Sequence, residues 1–508
     1  MVTMPALGII AAITPAAATA HTAKASTETL KARNAHILAL AYLCAGALAA
    51  SIAYCLLHLP FDIGDNLGNL LQLTDTTVTR IFVGTLHLQA FMRPMTWATM
   101  KVVFDLSAGH YFLAFRTLHI VSVVVLMFAF VRLTRVENVL SLAAALVAMA
   151  ALIGMPAFHD AMNETELNTK LTLAALCLVV VNMSAGSEMT RRAQALKDVA
   201  VLILLAWALL TNELGLLLWV CVAAGYLLGF RGVSRNAVVA ATALLAIYFY
   251  VRFLQLHIGT PGLNERSSGF GFRVRSPGEL MEMFGDNHLL FYAYNVTASV
   301  LTVLFSEPRA GVFAFTRDVT MSKVQSGAAV AVVTSLVSTA LMIWFAARRW
   351  RHWVRRELRY EDRIFLLAGA VIAANAVISF PYVKDAIMNI ASVFYCLALC
   401  MTLRELMAAI DGRRMALERT ALVCALLMLI SIGWTIRAAS FYADMRLRAY
   451  KAQVDWVFVD QWLRDQHVDL NTPGRRALVE QLSPQMIAMR VPRVYLEPRW
   501  VKDLLTPD

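Results

Sequence analysis

The strongest constraint on this chain is a succession of apolar runs, each long enough to cross a bilayer. Ala35–Leu59 and Ala237–His257 each hold about 20 residues with no acidic side chain, enough for a ~30 Å hydrocarbon core. Inside lipid no water satisfies the backbone, so such runs must be helical. Hydrophobic residues make up 59% of the chain and charged residues 16%, against about 45–50% and about 25% in soluble domains. A soluble protein with an unusually apolar core is thereby excluded. The expected fold class is an all-α polytopic membrane protein of about eleven transmembrane helices. The spans read as 35–59, 110–131, 139–156, 169–184, 198–211, 214–230, 237–257, 326–347, 364–380, 386–403 and 420–440.

Charge sorts the loops. Lys24, Lys31 and Arg33 assign segment 1–34 to the cytoplasm. Arg132/Arg135, Arg191/Arg192/Lys197, Arg231/Arg235, the run Arg348 to Arg363, and the loop with Arg404, Arg413, Arg414 and Arg419 then fall on the same side. The net charge of +11 resides in these short loops and not in one stripe, which removes nucleic acid as a partner. Spans fill 35–440, and the tail 441–508 is expected on the external, periplasmic side. Its mix of aromatic and charged residues suggests a small appendage against that face. Phe291–Phe305 is too short for a full crossing and reads as an interfacial or re-entrant helix. The Ala-rich start, Met1 to Ala20, lacks the basic n-region of a cleaved leader. Cys396 and Cys400, one helical turn apart within a span, read as apolar packing.

The long first external loop, Pro60 to Gly109, opens with Asp62 and Asp65 where the first span leaves the bilayer. A carboxylate there can serve as general base toward an acceptor hydroxyl, and an acidic pair is also what a solvated helix end looks like. Arg93-Pro94 precedes Met95–Leu106, an amphipathic stretch suited to the interface, with Pro94 in its first turn. Arg116 enters the second span, where a charge costs about +2.5 to +3.5 kcal/mol unless it snorkels or has a function. His159, Asp160, Glu164 and Glu166 crowd the second external loop, as a divalent cation site or as an acidic surface. Glu213 sits in a tight turn between two spans, and Lys384 in another. Lys384 belongs with Arg80, Arg93, Lys101, Arg266, Arg273, Arg275, Arg309 and Arg317, all on the side that should be poor in cations. Such a concentration points to an anionic partner at the membrane surface, such as a lipid phosphate.

Taken in order, these pieces resemble the GT-C superfamily of membrane glycosyltransferases, nearest to the tetratricopeptide-type and related O-mannosyltransferases. The acidic motif is matched by Asp62 or Asp65 and the Arg-Pro-Leu element by Arg93-Pro94-Met95. Gly109, Phe115-Arg116 and His119 match the next stretch, His159 and Glu164 the second-loop motif in part, and Asn212-Glu213 a Lys-Glu pair without its Lys. The likeness covers about residues 35–230, and the tetratricopeptide domain is absent. It implies transfer of a sugar from a polyprenyl-phosphate carrier to an acceptor at the external face. Asp62 or Asp65 would be the base, Arg93 and Lys384 would hold the donor phosphate, and Arg116, His159, Glu164 and Glu213 would support them. No metal is assigned; a divalent cation is optional in such enzymes. A non-catalytic scaffold of the same fold, a transporter of lipid-linked glycans and a polymerase are the competing readings. The Ala/Leu/Arg-rich composition and compact loops suggest a bacterial inner membrane.

Overall fold

In the computed structural model, each apolar run singled out above is mostly helical, the arrangement that satisfies the backbone without water. The structure describes residues 10–61, 63, 67–86, 91–162, 169–186, 190–258, 277–285, 288–305, 315, 318–324, 326–380, 385–411, 417–465 and 473–482. In chain order the helices are α1 Ile10–Leu57, α2 Gly68–Gln72, α3 Val78–Gly84, α4 Pro94–Leu106, α5 Tyr111–Thr134 and α6 Val139–Gly154. Next come α7 Pro156–Ala161, α8 Thr169–Ala185, α9 Arg191–Thr211, α10 Leu216–Leu227, α11 Arg235–Phe249, α12 Pro277–Phe284 and α13 His288–Phe305. The last are α14 Ser326–Val354, α15 Tyr360–Ile378, α16 Asn389–Asp411, α17 Leu417–Asp465 and α18 Pro473–Leu482.

Among the described residues, 7 helices are long and apolar enough to cross a membrane: Asn34–Leu57, Tyr111–Thr134, Arg191–Thr211, Arg235–Gln255, Ser326–Val354, Ala386–Ala409 and Ala421–Val459. The protein is thus an all-α membrane protein. Three further expected spans are the shorter apolar helices Val139–Gly154, Thr169–Ala185 and Glu213–Leu227. The remaining one, α15, begins with Glu361, Asp362 and Arg363.

The bundle is organised around α16, the one candidate span whose apolar window is wholly buried. A helix buried on all sides must be apolar all round, and Val393, Phe394, Leu397, Leu399, Met401 and Leu403 supply that. Cys396 and Cys400 are fully buried on the same helix, as apolar packing requires. α16 packs against α15, α6, α14 and α8. Where α17 crosses α14, a Cβ added at Gly433 would come within 2.2 Å of the Thr334 hydroxyl, so the crossing requires glycine. α13 packs against α14, α15 and α16, and the Asn295 side chain donates to the Phe380 carbonyl at 2.9 Å. It is therefore inserted beside the spans, not laid flat on their surface.

The bundle has two unlike ends. The long first loop, between α1 and α5, marks one, called here the loop face. The opposite end, where α5 and α10 finish and α9 and α15 begin, is the basic face. On the loop face a second core joins Phe61, Ile63, Leu67 and Leu70 to Trp456, Val459, Leu478 and Val479. The Trp456 indole N–H donates to the Phe61 carbonyl at 2.8 Å, and the Gln481 side chain bonds the Gly109 carbonyl and the Tyr111 N–H. α17 runs unbroken through residue 441 and carries Trp456 onto the first loop.

Two features of α4 shape that loop. Lys101 is not a solvated charge; its ammonium is buried, donating to the Leu73 carbonyl at 3.0 Å and to Asp105 at 2.7 Å. Val102 and Leu106 stay exposed while Ala98, Met100 and Phe104 pack inward, so α4 packs one face on the loop core and leaves an apolar pair uncovered. Truncating Trp456 should open this core: Trp456→Ala is expected to cost about 3–5 kcal/mol of local stability. Limited proteolysis should then cleave residues 441–482 well before the membrane bundle.

Candidate functional site

Local chain chemistry brings Arg93 and Glu213 together. Pro94 fixes the first turn of α4 and leaves Arg93 at its N-cap. The Thr96 hydroxyl donates to the Thr211 carbonyl, tying that turn to the last residue of α9. Beyond α9, the Asn212 side chain accepts the Leu214 N–H at 3.0 Å and bends the chain into a 3-10 turn, Glu213–Gly215. A Cβ at Gly215 would lie 2.1 Å from the Ala208 carbonyl oxygen, so only glycine lets the turn fold back so closely.

Glu213 is thereby presented to two guanidinium groups. Arg93 donates through Nε and Nη2 to Oε2 at 2.9 and 2.6 Å. Arg252 donates through Nη1 to Oε1 at 3.2 Å and to the Tyr248 hydroxyl at 2.8 Å. Arg252 lies in a π-helical turn, Tyr250–Gln255, which continues α11. Arg93 also stacks over Phe91, 4.2 Å from its centroid. Burial alone would raise the Glu213 carboxyl, but Arg93 and Arg252 more than offset it and hold it below its ordinary value.

The other predicted residues have different surroundings. Arg116 is fully buried and does not snorkel: Nη2 donates to the Leu59 and Pro60 carbonyls at 2.5 and 3.2 Å, and Nη1 approaches His119 Nδ1 at 3.1 Å. It lies near the rings of Phe61 and Phe112, so it anchors the chain as it leaves the first span. His159 on α7 donates from Nε2 to the Ile153 carbonyl at 2.8 Å and rests its ring edge-on against Phe441. Its neighbour Asp160 is bridged to Arg448 at 3.0 Å, and Arg448 to Asp444 at 2.6 Å. These residues hold α7 to α17. Among the described residues no group of three or more His, Cys, Asp or Glu could hold a metal ion. Asp62, Asp65, Glu164 and Lys384 lie outside the described residues.

Sequence reasoning missed Arg252 and Tyr248. The available signal was a charged side chain inside the run 237–257, since a cation within a span calls for a partner. Comparison with protein-family models, curated proteins and solved structures gives no match to this chain.

Two measurements probe these contacts. Glu213→Ala leaves two guanidiniums facing each other and is expected to destabilise the protein by about 3 kcal/mol, read as a lower melting temperature in detergent. His159 is pushed down by burial to about 4 from an ordinary 6.5. Between those values the unfolded chain binds the proton and the folded chain does not. Stability from this residue is thus complete above about pH 6.5 and falls by about 1.4 kcal/mol per pH unit toward pH 4. His159→Gln should flatten that part of the curve of melting temperature against pH.

Proposed function

We propose that this protein is a membrane glycosyltransferase of the GT-C type, moving a sugar from a polyprenyl-phosphate carrier to an acceptor at the loop face. The observation that carries the reading is the cationic cluster of Arg93 and Arg252 around Glu213. The Arg-Pro element named by the resemblance meets the Asn-Glu turn named by it, at the face where the Asp62/Asp65 segment begins. In the proposed reaction the acceptor oxygen attacks the anomeric carbon as its proton passes to Asp62 or Asp65. The bond from that carbon to the carrier phosphate breaks, and the phosphate departs with the electron pair. Arg93 and Lys384 stabilise the departing anion, a task suited to a preorganised cation in a site that excludes water. Glu213 and Arg252 orient Arg93.

One observation favours a second reading, a non-catalytic scaffold of the same fold. The guanidinium fork of Arg93 is already engaged twice by Glu213, so a donor phosphate would have to share or displace that carboxylate. The same experiment separates the two. Membranes carrying Asp62→Asn or Asp65→Asn are assayed for glycan transfer from a radiolabelled polyprenyl-phosphate sugar. The variant lacking the base is expected to lose about 10²–10⁴-fold in rate. Transfer that survives both substitutions would sink the base assignment and favour the scaffold.

A further inference from the structure

The basic face carries a feature that chemistry at the loop face does not use. A pocket of about 400 Å³ opens there, lined by Arg135, Arg231, Arg363, Tyr360, Gly186 and Gly229. Each arginine is held by the protein without being neutralised. Arg135 has the left-handed conformation that ends α5, and its guanidinium stacks on the Tyr360 ring at 3.4 Å. Arg231 donates to the Tyr226 and Phe230 carbonyls at 2.8 and 3.2 Å, and Arg363 to the Gly229 carbonyl at 3.0 Å. Gly229, at φ +94, turns the chain there. The nearby carboxylates are committed elsewhere, Asp362 to Arg349 at 2.8 Å and Glu361 to Arg404 at 3.4 Å. Among the described residues no carboxylate lines the pocket.

Beside it lies a second cavity of about 650 Å³, sharing Gly186 with the first. Its walls are mostly apolar, with Tyr42, Val125, Phe128 and Val179 among them, and Arg132 and Lys197 also line it. Three unneutralised guanidiniums suit a phosphate group, because the arginine fork matches its oxygens. A groove between α1, α5 and α8 suits a hydrocarbon chain. Gly186, a residue without a side chain, borders both.

We propose that the basic face binds one anionic phospholipid, its phosphate among Arg135, Arg231 and Arg363 and a hydrocarbon chain in the groove beside Phe128. The positive-inside bias assigns this face to the leaflet in which anionic lipids attract basic pockets. The site is independent of the reaction proposed at the opposite face, and the test needs no enzymatic assay.

The full chain, purified in mild detergent, is mixed with dioleoyl phosphatidylglycerol, dioleoyl phosphatidylcholine or inorganic phosphate. Lipid retention is read by native mass spectrometry and stabilisation by thermal shift. Phosphatidylglycerol is expected to be retained and to raise the melting temperature, while phosphatidylcholine and inorganic phosphate do neither. Arg231→Gln and Arg363→Gln should each weaken retention by about fivefold. Ala129→Trp, which fills the groove, should weaken it with all arginines in place. Equal retention of the two lipids by the wild-type chain would overturn the proposal, and that comparison depends on no variant folding. Selective retention unchanged in all three variants, checked as monodisperse, would also overturn it. A full thermal shift with inorganic phosphate alone would replace the lipid by a soluble anion.

Discussion

A polar group inside this bundle must find its partner in the protein, and much of the architecture follows from that. Arg437 on α17 shows it most fully. Its guanidinium donates to the Gly154 carbonyl at 3.2 Å, the Ala331 carbonyl at 3.0 Å and the Ser335 hydroxyl at 2.7 Å, and stacks on Trp434. One side chain thus receives the C-terminal end of α6 and joins it to α14 and α17. Asn375 does the same between α15 and α16, donating to the Ile387 carbonyl and accepting the Ala391 N–H, both at 3.1 Å. Apolar surface alone offers little orientation between helices in lipid, so bonds of this kind set the register of the bundle.

Most of the helices were legible because crossing a membrane fixes both length and composition. What periodicity could not reveal was which polar residues turn inward. Lys101 and Arg116 read as solvated or snorkelling charges, since a sequence does not state where carbonyl groups such as those of Leu73, Leu59 and Pro60 will converge. Hydropathy falls after residue 440, yet α17 continues to Asp465, and its outer part packs Trp456 and Val459 with Phe61 and Leu70.

Two of the three charged residues at the core of the candidate site were legible. Arg93 and Glu213 stood out because each interrupts an expected pattern, a Pro-led helix start and a turn too short to hide a carboxylate. Arg252 was absorbed into an apolar run, and the π-helical turn that carries it has no sequence signature. The three arginines of the basic face were each visible, and each was read only as a marker of sidedness. Their convergence depends on the ends of α5 and α10 meeting the start of α15, a tertiary fact that charge counting does not contain.

The union of the first loop with the C-terminal helix also bears on how the protein is made. Trp456 and its acceptor Phe61 are 395 residues apart. At synthesis rates of about 5–20 residues per second, the loop waits roughly 20–80 s before its lid has been translated. Throughout that interval Phe61 can pack on Phe112 and Phe115, but the core lacks the share that α17 and α18 supply. The chain must therefore complete nearly its whole membrane bundle before this core can close, so the first segment to cross is among the last to be sealed.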